Sequence, residues 1–218
     1  DETTASDPLN PLSPVGNQSI RMAAGGGQVR IPDQAKYASA SWTLEAWVKP
    51  SETSAGGDVV RRAFTGGSAV NYELGLEADG GVLRPYVMFV SSTGNAVKLG
   101  GTEAPFSNLA LPTDAAGDAV WTHLAASYDQ KTYVMALYVN GMPVARQEFM
   151  RDRADTFNVA DYTCPAADGG YTAEITLGEG FEGRLDDVRL WGGARAPRDI
   201  FAQHRTVNAS ARGLAHRF

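Results

Sequence analysis

The sequence predicts an all-β protein, an antiparallel sandwich of two sheets with one short peripheral helix. Three observations support this. After about residue 16 the apolar residues recur mainly with period two, turn sequences separate the alternating runs, and no long helical segments lie between them. The 218 residues are 43 % apolar and 20 % charged, which is typical of a globular domain with one core.

Residues 1–16 are predicted to form a semi-extended leader or linker. They carry Pro8, Pro11 and Pro14 among Ser, Thr and Asp, and their apolar residues show no periodicity. The chain starts without Met and without a basic and apolar signal sequence, so we expect a mature or excised segment. Residues 17–205 form the predicted sandwich, and residues 206–218 a C-terminal tail.

The strands follow one another along residues 17–205. In residues 42–48, Trp42, Leu44 and Val48 share one face, whereas Glu45 and Trp47 lie on the other. Asn140-Gly141 predicts a two-residue hairpin turn, because both turn positions require positive φ. Other strands are predicted at residues 72–77, 85–90, 121–128, 131–139, 142–145, 174–177 and 184–191.

One helix and three long irregular stretches complete the predicted organisation. Pro197 can occupy the first helical position, and Ile200 and Phe201 give the helix a short apolar patch. Irregular segments are predicted at about 50–70, 91–119 and 150–172, and such long loops are the first places to look for a ligand.

Charge and cysteine content exclude several classes of function. The formal net charge of -6 disfavours nucleic acid and anionic membrane surfaces as partners. No run of apolar residues is long enough for membrane insertion. Cys164 is the only cysteine, so an intrachain disulfide is impossible. No feature of the sequence indicates an oligomeric state.

Three stretches carry a resemblance to a known family. They are residues 29–33 with 42–50, residues 121–129 with 137–145, and residues 175–178 with 181–191. Together they resemble the laminin-G-like domains of the concanavalin A-like lectin/glucanase superfamily. The resemblance covers about residues 17–205 and implies a jelly-roll sandwich of two curved sheets. It also implies a non-catalytic module of a secreted or surface protein that binds glycans or other proteins, often with calcium.

The acidic residues do not form the pattern expected of a glycan-cleaving enzyme. Such an enzyme needs two carboxylates close together on one face, most simply as Glu-x-Asp-x-Glu on a strand. Glu73 and Glu77 are too far apart, and Glu179 and Glu182 lie in a glycine-rich turn. We therefore expect no catalysis, with a divergent polysaccharide-cleaving enzyme as the alternative.

Glu45, His123 and Arg189 each lie on a predicted strand between apolar neighbours. If a second layer covers that face, their charges must pair with one another or be destabilised by desolvation. We interpret them as a structural polar cluster, and an active site is the alternative.

Asp186 is the candidate metal ligand. Period two places it on the core-facing side with Val188 and Leu190, where an ionised carboxylate needs compensation. The resemblance matches Asp186 to an aspartate that holds calcium in some glucanases, together with backbone carbonyls that would here come from around Gly16 and Asn17. A hydrogen-bonded aspartate without metal is the alternative.

The segment at about 150–172 is the candidate ligand-binding loop. Aromatic rings beside acids suit sugar recognition, although a solvated acidic loop has the same composition. Trp47 and Trp191 point outward on their strands and form either a binding platform or packing under a loop. The candidate ligand-binding residues in the loop are Asp161, Tyr162, Asp168 and Tyr171.

These observations lead to one functional hypothesis and one further rival. We expect a non-catalytic recognition module, extracellular or on the cell surface, that binds a glycan with or without support from calcium. The rival is a structural or adhesive domain that binds another protein or a neighbouring domain.

Overall fold

The computed structural model describes residues 19–23, 25, 27–65, 69–91, 94–149, 173–205 and 213–217. These residues form two antiparallel sheets that pack face to face, with one short α-helix on the outside. The predicted all-β sandwich is confirmed. No helix in this described part is long and apolar enough to span a membrane.

The first sheet has seven strands within the described residues. They are β1 (Ile20–Met22), β3 (Trp42–Pro50), β8 (Thr122–Asp129), β9 (Val134–Val139), β10 (Met142–Glu148), β12 (Gly183–Trp191) and β13 (Leu214–Arg217). Across the sheet the order is β1, β12, β3, β8, β9 and β10, and β13 pairs with β12. The segment predicted as a C-terminal tail thus contributes a strand.

The second sheet has six strands in the described part of the chain. They are β2 (Val29–Pro32), β4 (Gly56–Phe64), β5 (Val70–Asp79), β6 (Val82–Val90), β7 (Ala96–Gly100) and β11 (Ala173–Leu177). Their order across the sheet is β2, β11, β4, β5, β6 and β7. All paired neighbours in both sheets are antiparallel.

The core lies between the two sheets and follows the predicted alternation. Trp42 and Leu44 of β3 are buried there together with Leu74 of β5. The rings of Trp42 and Tyr72 have centroids 5.9 Å apart across the two sheets. Burial of this apolar surface is the main stabilising contribution to the sandwich.

Local sequence chemistry determines the turns and the helix. Asn140 and Gly141 have φ of 50° and 78°, as the predicted hairpin between β9 and β10 requires. Helix α1 (Pro197–Gln203) begins with Pro197 at its first turn. Its buried residue, Ile200, packs on the outer face of the seven-stranded sheet against Ala125 and Tyr138.

Two of the predicted irregular segments contain strands. Strand β4 lies within 50–70 and β7 within 91–119, so these predictions were wrong in part. In β4 the register shifts between Asp58 and Val60 and again between Arg62 and Ala63. These bulges break the period-two pattern from which a strand would be recognised. The third segment, about 150–172, lies outside the described residues apart from its edges.

A bulge in β12 corrects the predicted orientation of Asp186. The register shifts between Asp186 and Arg189, and Asp187 has a positive φ of 49°. Asp186 pairs with Trp47 across β3, whereas Leu185 and Val188 belong to the core. Because the bulge inserts an extra residue, Asp186 lies on the outer face of the sheet and not with Val188 on the core side.

Candidate ligand cavity beside the helix

A buried ionic cluster joins α1 to the outer face of the seven-stranded sheet. Glu45 accepts hydrogen bonds from His123 Nε2 at 3.3 Å, from Arg189 at 3.1 Å and from Arg195. Arg189 also pairs with Asp187 and donates to the carbonyl oxygen of Gln203 at 2.8 Å. The structure therefore brings together the three residues that the sequence indicated and adds a second arginine.

The charges in this cluster compensate one another. Burial alone would raise the pKa of Glu45, but the hydrogen bond from His123 and the nearby arginine charges outweigh burial, so the pKa is lowered. Burial lowers the pKa of His123, although its hydrogen bond to Glu45 opposes that effect. Glu45 is thus ionised and surrounded by hydrogen-bond donors. This arrangement fits a structural role, and Glu45 has no proton to donate as a general acid.

Two tryptophans lie beneath the segment that carries α1. Trp47 is buried, and its Nε1 donates to the carbonyl oxygen of His204 at 3.2 Å. The guanidinium carbon of Arg195 lies 3.9 Å from the ring centroid of Trp191. Both tryptophans thus pack against residues of this segment.

A cavity of about 660 Å³ opens beside the C-terminal end of α1. This volume lies in the range of small-molecule binding sites. The walls come from β3, the turn at Asn140, the segment before β8, and the helix with the residues that follow it. The lining residues are Trp47, Pro112, Thr113, Asp114, Val120, Trp121, Asn140, Phe201, His204 and Arg205.

Hydrogen bonds orient the polar groups of the cavity wall. His204 Nδ1 lies 2.5 Å from the carbonyl oxygen of Phe201, so Nδ1 carries the hydrogen and Nε2 is the acceptor in the neutral ring. Asn140 Oδ1 accepts from the His123 amide at 2.9 Å, which leaves the Asn140 NH₂ group to donate to a ligand. The rim acid Asp114 accepts from the backbone amides of its own turn.

The sequence did not identify this cavity. The sequence predicts Trp121 in a strand, Asn140 in a turn and Phe201 in the apolar patch of the helix. Only the strand order and the position of α1 bring them together, because they are far apart along the chain. The outward position of Trp47 in its strand was the one available signal.

Most of the sequence-predicted site residues lie outside the described residues. This applies to Gly16, Asn17, Asp161, Tyr162, Asp168 and Tyr171. Asp186 is described, and its neighbour Leu185 pairs with Ile20, the first residue of β1. Among the described residues, no group of three or more His, Cys, Asp or Glu side chains could hold a metal ion.

Comparison with protein families agrees with this architecture. A family model described as "Concanavalin A-like lectin/glucanases superfamily" matches residues 23–201, which is most of the chain. The chain belongs to this superfamily. A comparison with curated protein sequences found no significant match.

Several solved structures share the concanavalin A-like fold of this chain. A protein from Bacteroides ovatus, provisionally assigned as carbohydrate binding, is 18 % identical, with a TM-score of 0.59 over 94 % of this chain and 52 % of its own. The CBM40 of Ruminococcus gnavus IT-sialidase, bound to α2,6-sialyllactose, is 14 % identical with a TM-score of 0.60, and the match covers 85 % of this chain and 95 % of that one.

A third structure places the same fold within a larger chain. The NanB sialidase of Streptococcus pneumoniae is 16 % identical, with a TM-score of 0.59 over 86 % of this chain and 27 % of its own. The present chain thus spans about half of the Bacteroides ovatus chain and about a quarter of the sialidase. At these identities the likeness concerns the fold.

Proposed function

We propose that this concanavalin A-like domain is a non-catalytic recognition module that binds a glycan in the cavity beside α1. The cavity itself carries the proposal. Its wall combines the aromatic rings of Trp47, Trp121 and Phe201 with the polar groups of Asn140 and His204. Aromatic faces contact the C–H groups of a sugar ring, and a few fixed polar groups bind its hydroxyls.

The acids near the cavity support binding without bond cleavage. Glycosidic cleavage generally uses two carboxylates on either side of the scissile bond. Asp114 is the single acid among the described residues that line the cavity, and it is hydrogen-bonded to backbone amides. Glu45, behind the wall, is enclosed by arginines. The carbohydrate-binding structures with the same fold are consistent with this proposal.

The substitution Phe201→Ala tests the binding site. Phe201 is 53 % exposed, so its loss should leave the melting temperature nearly unchanged. A glycan array would first identify a bound saccharide, and calorimetry would then measure its affinity. We expect Phe201→Ala to weaken binding about tenfold, the loss expected when one aromatic contact is removed.

Met142→Ala is the matched control, because Met142 is 56 % exposed and is not among the cavity-lining residues. It should leave affinity unchanged. If no saccharide binds, or if both variants bind as tightly as the parent, the cavity is not the glycan site. Release of reducing ends from a bound polysaccharide would contradict the non-catalytic assignment.

We also propose that calcium supports this module outside the cell or at its surface. Asp186 lies on β12 next to Leu185, which pairs with Ile20 of β1, and a carboxylate with backbone carbonyls is a donor set that calcium accepts. If calcium binds, EDTA should lower the melting temperature by about 2 to 4 °C for each kcal/mol that calcium contributes to stability, and Asp186→Ala should abolish that difference. Asp79→Ala, an exposed acid on β5, is the control and should retain it. An identical melting temperature with EDTA and with added calcium would exclude the site.

A further inference from the structure

A second polar cluster lies on the outer face of the six-stranded sheet, away from the proposed glycan cavity. Asp58 of β4, Glu73 of β5 and Tyr86 of β6 meet there. The Tyr86 ring lies across Gly75, where an added Cβ would be 2.6 Å from the tyrosine hydroxyl. The absence of a side chain at Gly75 therefore allows Tyr86 to reach both acids.

The hydroxyl of Tyr86 contacts two carboxylates at once. Its oxygen lies 2.6 Å from Glu73 Oε1 and 3.0 Å from Asp58 Oδ1. A phenol has one hydrogen to donate, so it can satisfy only one of them. If both acids were ionised, one carboxylate oxygen would face a lone pair of the hydroxyl. Two carboxylates and one phenol have only one hydrogen between them, but the two contacts need two. The geometry therefore requires one additional proton.

The neighbouring charges indicate which acid holds that hydrogen. Arg61 Nε lies 3.0 Å from Glu73 Oε2 but 3.9 Å from Asp58 Oδ2. The closer ion pair assigns the negative charge to Glu73 and leaves Asp58 as the protonated member. Protonated Asp58 can then donate to Tyr86, and Tyr86 can donate to Glu73.

We propose that Asp58, Tyr86 and Glu73 share one additional proton and that its release makes this face of the sheet a pH switch. With the proton present, the chain from Asp58 through Tyr86 to Glu73 is fully hydrogen-bonded. After its release, Asp58 has no hydrogen to donate, and two negative charges face the same hydroxyl. The Asp58 side chain then separates from Tyr86, and the face gains one negative charge.

The surrounding groups place this transition close to neutrality. Burial and the nearby charges of Glu73 and Glu179 raise the pKa of Asp58 from 3.8 to about 7, although Tyr86 and Arg61 act in the opposite direction. Two further charges lie near the Tyr86 ring and compensate one another. Lys98 of β7 lies over the Tyr86 ring at 5.1 Å and pairs with Glu77 of β5.

The cluster is not arranged for glycosidic cleavage. A cleaving pair needs space between its carboxylates for the scissile bond or for water. Here the Tyr86 hydroxyl occupies the space between Asp58 and Glu73. The two acids instead form a proton-binding element of the sheet.

The sign of the expected effect on stability follows from the raised pKa. The folded protein holds this proton more tightly than the unfolded chain, for which the ordinary value is 3.8. The contribution to stability is complete below about pH 3.8 and is lost as pH rises through about 7. We expect the urea midpoint of the parent protein to fall between about pH 5 and about pH 8.

Asp58→Asn tests this proposal, because its amide can donate to Tyr86 as the protonated acid does but cannot titrate. Its urea midpoint should exceed the parent's by a margin that widens between about pH 5 and about pH 8. Asp79→Asn is the matched control, since Asp79 lies exposed at the end of β5, and it should keep the parent's pH dependence. Carbon NMR of the Asp58 carboxyl in the parent protein should show a transition near pH 7.

A carboxyl resonance that titrates near pH 4 would overturn the proposal, as would a parent-like pH dependence in Asp58→Asn. If Asp58→Asn fails to fold, the NMR titration of the parent protein decides the question alone. Loss of glycan binding has no bearing on it, because the cluster and the cavity lie on different sheets.

Discussion

The outer faces of both sheets carry acids shielded from solvent, but the surroundings of these acids shift their pKa values in opposite directions. On the seven-stranded sheet, α1 covers Glu45, and His123, Arg189 and Arg195 surround that single carboxylate. On the six-stranded sheet, Asp58 and Glu73 share one hydroxyl and one close arginine. The pKa is accordingly lowered for Glu45 and raised for Asp58. Burial raises the pKa of both acids, so their neighbours decide the outcome: the hydrogen bond from His123 and two arginines at Glu45, and the negative charges of Glu73 and Glu179 at Asp58.

The largest expected loss of stability comes from a substitution in the ionic cluster around Glu45. Arg189→Leu keeps an apolar stem but leaves the buried charges of Glu45 and Asp187 with fewer partners. We expect a loss of about 3 to 5 kcal/mol in the free energy of unfolding, because removing one partner leaves an uncompensated buried charge. Urea denaturation would measure it.

Arg198→Leu is the matched control for this substitution. The Arg198 side chain is 88 % exposed, and its ion pair with Asp199 lies at the surface of α1. Its loss should change stability by no more than about 0.5 kcal/mol. Equal effects of the two substitutions would show that the buried ion pairs of Arg189 contribute no more to stability than an exposed ion pair.

The outer face of the seven-stranded sheet, which α1 covers, was also easier to predict from the sequence. Period two placed Glu45, His123 and Arg189 on strands between apolar neighbours, so their convergence under a covering layer could be predicted. Arg195 could not, because its contact with Glu45 depends on how the chain folds back after β12. The position of Asp186 was predicted on the wrong face, because the bulge that turns it outward leaves no mark on a period-two pattern.

The cluster on the outer face of the six-stranded sheet and the cavity could be found only from the tertiary structure. Asp58 lies in a strand that the sequence did not reveal, and its contact with Tyr86 crosses β5 above Gly75. The cavity needs the order β3, β8 and the return of α1 to bring Trp47, Trp121 and Phe201 together. Local patterns identify which face a strand residue occupies, but they do not show which distant strand lies beside it.

A smaller loss of stability is expected from Gly75→Ala, which tests the cluster on the outer face of the six-stranded sheet. The added methyl group would overlap the Tyr86 ring, whose atoms lie 2.6 to 2.7 Å from the Cβ position. Tyr86 must move off the sheet, and we expect a loss of about 1 to 3 kcal/mol in urea denaturation, as is typical of overpacking. Because Tyr86 then no longer joins the two acids, the NMR transition of Asp58 should also shift from its position in the parent protein.

Gly192→Ala is the control, since an added Cβ there meets no atom within 4 Å, and its effect on stability should be slight. An unchanged Asp58 transition in Gly75→Ala would mean that Tyr86 has no part in holding the proton. Asp58 and Glu73 would then be coupled only through their charges, and the raised pKa of Asp58 would follow from burial and from the charges of Glu73 and Glu179.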